Sequence, residues 1–485
     1  MARVTTRFRC RSCAAVVQRW AGRCPGCGEW NTLAEDRSAP ARSARGRPGA
    51  AAPVLRLAEV DPSGGVPRPT GLGELDRVLS GGLLPGSVTL AYGEPGVGKS
   101  TLLLQALMSV AGRGGSALLV SAEESASQVR ARAERLGDLS DGLMVAATGD
   151  LHQVAEAVAS LGPDLVVVDS VQTVADPGTA GPAGSLAQVR ACAERLARLA
   201  EDHGTPIVLV GHVTKDGGLA GPRALEHLVD TVVAVEGDRH HALRLLRTVK
   251  HRFGPTGEVG LLQMGDRGFA DVPDPGPLLL GDRRPDVPGS TVTPLVQGRR
   301  PLLVELQALV YEGHGTGAPR RTVQGVDPQR LAMLLAVLEC RAGLPLGGQE
   351  VFVSATGGIR ATEPSADLAM ALAVASSVVG EPLPPDLLSF GEVGLAGEVR
   401  QVPSPEQRLS EAARLGFTRA LVPAGTPDGR WPMTLVRVRS VAEAVAAAYR
   451  HRATAAGRPA ELDRAVVAPG PAGTMLAWST SAASR

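Results

Sequence analysis

The chain is poor in lysine. Of its 50 basic residues only Lys99, Lys215 and Lys250 are lysine, and the rest are arginine. A GC-biased coding sequence accounts for the ratio but not for the three positions that escape it. An ammonium is a compact point charge and a guanidinium a broad planar fork, so some sites accept only one of them. Long apolar runs are lacking too: none approaches the ~18 residues of a membrane-spanning helix. The opening MARVTTRFRC has no apolar core of the kind a secretory signal carries. These absences predict a cytoplasmic protein without a membrane partner. Neither sign of charge dominates. A formal net charge of +1 excludes a uniformly basic nucleic-acid binder and leaves room for a local basic patch.

What is present fits a multidomain α/β chain. Its 485 residues suggest about three domains. Gly and Pro, 59 and 37 residues, cluster in three stretches that divide the chain. Residues 1–30 hold four of the six cysteines, and 31–65 read as an Ala/Arg/Ser/Gly/Pro linker. From 66 to 270, short Val- and Leu-rich runs alternate with amphipathic stretches, as in βαβ units around a mainly parallel sheet. A Pro/Gly-rich segment at 271–290 reads as a second linker. Residues 291–450 form a further α/β unit, and 451–485 have the composition of a disordered tail.

Cys10-x2-Cys13 and Cys24-x2-Cys27 stand ten residues apart. Four thiolates in two such knuckles close a tetrahedral Zn²⁺ shell. A chain without an export signal makes disulfides the weaker reading. Ten Arg against Glu29, Glu35 and Asp36 in residues 1–50 add a local basic patch, which suits nucleic acid, an acidic protein or simply a solvated linker. Cys192 and Cys340 fall in helical patterns and read as inert thiols.

Gly93-Glu94-Pro95-Gly96-Val97-Gly98-Lys99-Ser100 matches GxxxxGK[ST] completely, between the strand-like SVTLAYG and the helix-like TLLLQALMSVAG. The glycines let backbone N–H groups turn around phosphate oxygens. Lys99 is placed for the β- and γ-phosphates of ATP, Ser100 for Mg²⁺, and Thr101 beside it. Leu165-Val166-Val167-Val168-Asp169 is a buried strand ending in an acid, the position from which a carboxylate holds Mg²⁺. Glu123 and Glu124 close another apolar strand. Glu123 is the candidate base towards the attacking water, although a capping pair would look the same.

These motifs, with the runs GHVTKDGGLAGPRALEHLVDTV from Gly211, LRTVKHRFG ending at Gly254 and FGEVGLAGEVRQV from Phe390, make the chain resemble the bacterial RadA/Sms recombination and repair proteins. The resemblance covers about 1–450. It implies a four-cysteine zinc finger, a RecA-like ATPase core and a Lon-protease-like C-terminal domain. It also implies a hexameric motor ATPase that binds single-stranded and branched DNA, drives branch migration, and works beside recombinase or replication proteins. The family's pentapeptide KNRFG here reads Lys250-His251-Arg252-Phe253-Gly254, with His in place of Asn. The resemblance implies that Lys250 and Arg252 couple DNA engagement to nucleotide between subunits. His212, Thr214 and Lys215, after the strand-like PIVLVG, suit a sensor of the γ-phosphate. His240 and His241 carry no partner pattern and read as surface residues.

A Lon-type peptidase pairs a Ser with a Lys that takes its proton. Ser365 falls where the resemblance places the nucleophile, and Glu406 aligns with the lysine. No Lys exists after Lys250, and an Arg such as Arg408 stays protonated. The expectation is a scaffold and not a peptidase. A regulatory ATPase that switches protein partners without moving along DNA is the alternative to the motor.

Overall fold

The computed structural model describes residues 8–10, 16–17, 20–25, 29–30, 32–35, 56, 65–212, 224–237, 242–313, 319–431 and 433–456. The chain divides into two compact units, Met1–Pro62 and Ser63–Arg485.

In the first unit β1 (Phe8–Cys10) pairs antiparallel with both β2 (Val16–Val17) and β3 (Leu33–Glu35). Cys10 and Cys24 are buried together beside Val17. Cys13 and Cys27 lie outside the described residues. The third strand corrects the expected boundary: backbone pairing with β1 carries the ribbon to Glu35, into the stretch read as linker.

The second unit is built on a nine-stranded sheet. Its strands are β4 (Val88–Gly93), β5 (Ala117–Ser121), β6 (Leu143–Ala146), β7 (Leu165–Asp169), β8 (Ile207–His212), β9 (Thr231–Glu236), β10 (Leu243–His251), β11 (Val259–Gly265) and β12 (Gly268–Asp271), in the order β12-β11-β10-β9-β4-β8-β7-β5-β6. From β9 to β6 every pairing is parallel. The last three strands extend the sheet antiparallel. The apolar runs are explained by burial on both faces: all of Leu165–Val168 and Ile207–Val210 are buried. α1 (Gly73–Val78), α2 (Lys99–Gly112) and α3 (Ala126–Leu136) pack with the core of one face, α4 (Leu151–Leu161) and α5 (Leu186–His203) with that of the other. Local signals fix the ends. Ser125 and Gln128 form a capping box at α3, Asp150 and Ser185 cap α4 and α5, and Gly162 and Gly204 close them in the left-handed conformation.

Residues 271–290 are not an open tether. They carry α6 (Gly276–Leu280), whose Leu279 is buried, and Asp274 of the same stretch pairs with Arg414. Beyond them β13 (Ser290–Gln297), β14 (Arg300–Glu312), β15 (Arg321–Gln324) and β16 (Gln349–Ala355) form a sheet in the order β13-β14-β16-β15. α7 (Pro328–Ala342) and α8 (Asp367–Val379) pack with it, followed by α9 (Pro405–Arg414) and a three-stranded parallel sheet of Leu387–Ser389, Arg419–Pro423 and Thr434–Val438. The core of this region is continuous with Leu243, Leu245, Val259 and Leu261 of the first sheet. At the β13–β14 turn, Gln297 accepts from Arg247 at 2.9 Å, and Arg300 donates to the buried Glu74 at 2.5 Å. The final helix, Val441–Ala456, runs past residue 450, where the tail was expected to begin. Residues 457–485 lie outside the described residues. No described helix is long and apolar enough to cross a membrane.

Candidate functional site

β4 is the central strand, and the chain leaves its C-terminal end as the loop Gly93–Gly98 before turning into α2. Ligands of open α/β sheets sit at this edge. Two glycines are required by close packing. A Cβ on Gly93 would stand 2.3 Å from the Val235 carbonyl, and one on Gly98, whose φ is +107°, 2.6 Å from the Phe269 ring. Val97 is buried and anchors the loop, while Glu94, Pro95 and Gly96 form its exposed crown. Backbone N–H groups at a Gly-rich turn and a helix start suit a polyphosphate.

Lys99 is buried, and its Nζ donates to the carbonyls of Gly93 at 2.9 Å and Glu94 at 3.0 Å. Burial lowers its pKa, opposed by the carboxylates of Asp169 and Glu123. Asp169, at the end of β7, lies beside the Ser100 hydroxyl, which favours its charged form. Burial pushes this carboxyl above the ordinary range; the Ser100 hydroxyl opposes the shift and Glu123 adds to it. Ser100, Lys99, Asp169 and Glu123 are therefore one constellation, drawn from three strand ends.

The two adjacent glutamates differ in their attachments. Glu124 is held by Arg132 of α3, and its backbone is tied to the Ser121 hydroxyl. Glu123 accepts from the Ser170 hydroxyl at 2.6 Å, lies 3.7 Å from His212 Nε2, and keeps its side chain 44% exposed. An acid that faces both the phosphate lysine and solvent is the better candidate base. Among the described residues, His212 Nδ1 and the neighbouring Gln172 Oε1 are buried without a hydrogen-bond partner. Thr214, Lys215, His240 and His241 lie outside the described residues. Sequence reasoning did not single out Ser170, Gln172 or Arg132. Their roles depend on neighbours 8 to 47 positions away, and no local motif carries that signal.

Lys250 and Arg252 are not part of this constellation. Register pairs Lys250 with Val232 and His251 with Thr231 at the start of β9, and Thr231 with Thr89 near the start of β4. The turn after β10 thus lies at the opposite edge of the sheet, about 13 Å along β4 from Gly93 at the usual rise per strand residue. A bulge between Thr248 and Lys250 re-aims the side chains there. Lys250 Nζ points inward, to the carbonyls of Glu226 at 2.5 Å and Val229 at 2.7 Å. Arg252 is exposed and bonds Asp230 at 2.9 Å, while the other Asp230 oxygen accepts from the Val88 amide. His251 holds the Thr231 hydroxyl at 2.9 Å and meets the Phe253 ring edge-on.

In the C-terminal region Ser365 is 1% exposed, and its hydroxyl accepts from Arg408 at 3.1 Å. Arg408 is also sealed, and donates to the Pro403 and Pro294 carbonyls and to Glu363. The residue facing Ser365 is thus Arg408, not the aligned Glu406, which is exposed on α9. Positions two apart on a helix point to nearly opposite sides, so both cannot face the serine.

In the first unit, the Cys10 sulfur lies 3.2 Å from the Thr32 hydroxyl, and the Cys24 amide donates to Glu29 at 2.9 Å. Two buried thiols brought together across a ribbon suit one soft cation.

Fold and sites define a RecA-like P-loop ATPase that carries a metal-binding ribbon and a further α/β domain. The AAA domain profile matches residues 72–218, and that of the rubredoxin metal binding domain residues 8–35. The chain is 42% identical to the DNA repair protein RadA of Bacillus subtilis, across 92% of this chain and 99% of that one. It is 45% identical to the protein of that name from Mycolicibacterium smegmatis, across 91% and 97%. With that of Pseudomonas aeruginosa the identity is 47%, across 90% and 96%. The chain belongs to the RadA family of DNA repair proteins.

Proposed function

We propose that this chain is a DNA-dependent ATPase of recombinational repair that binds single-stranded and branched DNA and drives branch migration as a homo-hexameric ring. The observation that carries the reading is the placement of the loop Gly93–Thr101 and the turn Lys250–Gly254 at opposite edges of one sheet. A turn so placed cannot serve its own subunit's phosphate loop. In a head-to-tail ring it faces the loop of the next subunit, and a heterologous interface closes such a ring. Bound Mg²⁺–ATP supplies the γ-phosphoryl group and the divalent charge.

Backbone N–H groups of Gly93, Glu94, Pro95's neighbour Gly96, Val97 and Gly98 cradle the phosphates, with Pro95 fixing the crown. Lys99 exchanges its carbonyl partners for phosphate oxygens. Ser100, with Thr101 beside it, and Asp169 would hold Mg²⁺, which would supply divalent charge to the phosphates. Glu123 takes the proton of the attacking water at Oε2, because Ser170 occupies Oε1. Arg252, exposed and held by one carboxylate, contacts the neighbour's phosphate as charge develops. Lys250 shapes the turn that presents it. Cys10, Cys13, Cys24 and Cys27 hold Zn²⁺ in the ribbon. Residues 1–35, 66–270 and 291–456 act as the ribbon, the motor and a scaffold.

The scaffold is not a peptidase. A guanidinium is a donor with no acceptor site, so Arg408 cannot take the Ser365 proton, and the pair is closed to substrate. Casein hydrolysis by the wild type, lost in Ser365→Ala, would overturn this. The motor reading is tested by ATP turnover without DNA and with single-stranded, duplex and forked DNA. Stimulation by single-stranded or forked DNA is expected. Equal turnover in all four would favour a switch that acts through protein partners.

A further inference from the structure

Beneath the phosphate loop lies an arginine to which no role has been given. Arg244, near the start of β10, is 5% exposed, and its Nε donates to the Val97 carbonyl at 3.0 Å. A second nitrogen of the same guanidinium donates to the Leu243 carbonyl at 2.9 Å. To reach Val97 from β10 the side chain must pass the end of β9, which lies between β10 and β4 in the sheet. The chain provides the passage at Gly237, the residue directly after β9: a Cβ there would stand 2.4 Å from Arg244 Cδ. A gap in one strand end and an arginine from the next are matched to one carbonyl of the loop.

We infer that Arg244 is a positioning residue for nucleotide: it fixes the Val97–Gly98 peptide so that the Gly98 N–H faces the phosphates. The inference rests on reading Gly93–Thr101 as the phosphate cradle. Its physics is that of the planar trans peptide, in which C=O and N–H point in opposite directions. Pinning the Val97 oxygen on one side therefore aims the Gly98 N–H at the other. Gly98 needs such a pin, because a glycine at φ +107° has no side chain to restrict its backbone. Lys99 ties the Gly93 and Glu94 carbonyls from the α2 side, and among the described residues Arg244 is the side chain that holds Val97 O. The bond is charge-assisted and shielded from water, so it is stronger than a neutral one. Preorganised donors cost no rearrangement when the anion arrives.

The test is titration of Mg–ADP, with steady-state ATP kinetics, into the full-length chain and its Arg244→Met, Arg244→Lys and Gly237→Ala variants. Leu246→Ala, a core truncation on the same strand, serves as the stability control. Arg244→Met is expected to weaken Mg–ADP binding about tenfold or more, the effect of losing one charge-assisted bond. KM for ATP should rise by more than kcat falls. Arg244→Lys, which keeps one donor and the charge, should recover part of the loss, and Gly237→Ala should imitate Arg244→Met by displacing the side chain. Leu246→Ala should lower Tm and leave Kd unchanged. A Kd for Arg244→Met equal to that of the wild type would overturn the inference. If Arg244→Met does not fold, unchanged Kd values in both Arg244→Lys and Gly237→Ala would do so. Failure of the wild type to bind Mg–ADP, or undiminished binding by Lys99→Ala, would instead overturn the cradle reading.

Discussion

Ser100 and Ser365 each stand beside a basic side chain and a carboxylate, yet the two sites have opposite character. Ser100 stands beside Asp169, next to Lys99 and the exposed Glu123, at the open C-terminal edge of the parallel strands. Ser365 is shut behind Arg408 and Glu363, with the guanidinium bonded to two backbone carbonyls as well. In the first site the cation's partners are loop carbonyls that a phosphate can replace. In the second every donor is committed to the fold. Residue types alone would not separate a reaction centre from a structural knot. Exchangeability of the hydrogen bonds does.

The largest effect that tests this contrast is loss of turnover. Lys99→Ala should reduce ATP hydrolysis by about a hundredfold or more, the cost of one charged donor at a developing anion. Lys99→Arg should be nearly as damaging, because the fork does not fit a cradle built for a point charge. Phosphate release with normal rates in Lys99→Arg would erase the first half of the comparison. Arg408→Ala should do the reverse. Removing one partner of a buried pair should cost about 3–5 kcal/mol in urea unfolding of the second unit. Arg408→Lys should remain inactive on casein although it creates a Ser–Lys pair, because Ser365 stays sealed.

Much of this was legible in the chain. The P-loop and the strand-ending Asp169 are signalled by contiguous residues, the metal-binding ribbon by its paired cysteines, and the parallel sheet by runs buried on both faces. What escaped depends on long-range contacts. Arg244 looks like an ordinary strand residue until Gly237 and Val97 are in place. Glu123 and Glu124 are indistinguishable in sequence and are told apart by Ser170 and Arg132. The Glu406 alignment failed because α9 turns Arg408 inward. Residues 271–290 have linker composition, and the burial of Leu279 and the Asp274–Arg414 pair reveal a packed connection.

Smaller effects sharpen the contrast between open and committed carboxylates. Burial raises the Asp169 pKa. A carboxyl raised on folding adds stability below its unfolded pKa and loses it as pH rises through the folded one. Asp169→Asn should therefore raise Tm at pH 7 while lowering turnover. Asp386 is the opposite case: its bonds from Arg419 hold it at about 2. Its contribution is present above the ordinary Asp pKa and is lost as pH falls through about 2. The Tm deficit of Asp386→Asn should thus be constant from pH 7 to 5 and shrink below pH ~4. The smallest effect on the motor should come from the ribbon. Cys24→Ala should fail to bind the zinc proposed for the wild-type ribbon, as checked by metal analysis, and leave the melting of the second unit unchanged, since the chain splits after Pro62.

The central claim is that each ATP site is completed by the turn of the next subunit. It is tested by mixing Glu123→Gln, which keeps the turn and lacks the base, with Arg252→Ala, which keeps the base and lacks the arginine. Each alone should be inactive in DNA-stimulated turnover. Random assembly of a one-to-one mixture places an intact base opposite an intact arginine at about a quarter of head-to-tail interfaces, so activity should return to roughly that fraction of wild type. A mixture no more active than its two components would contradict the account.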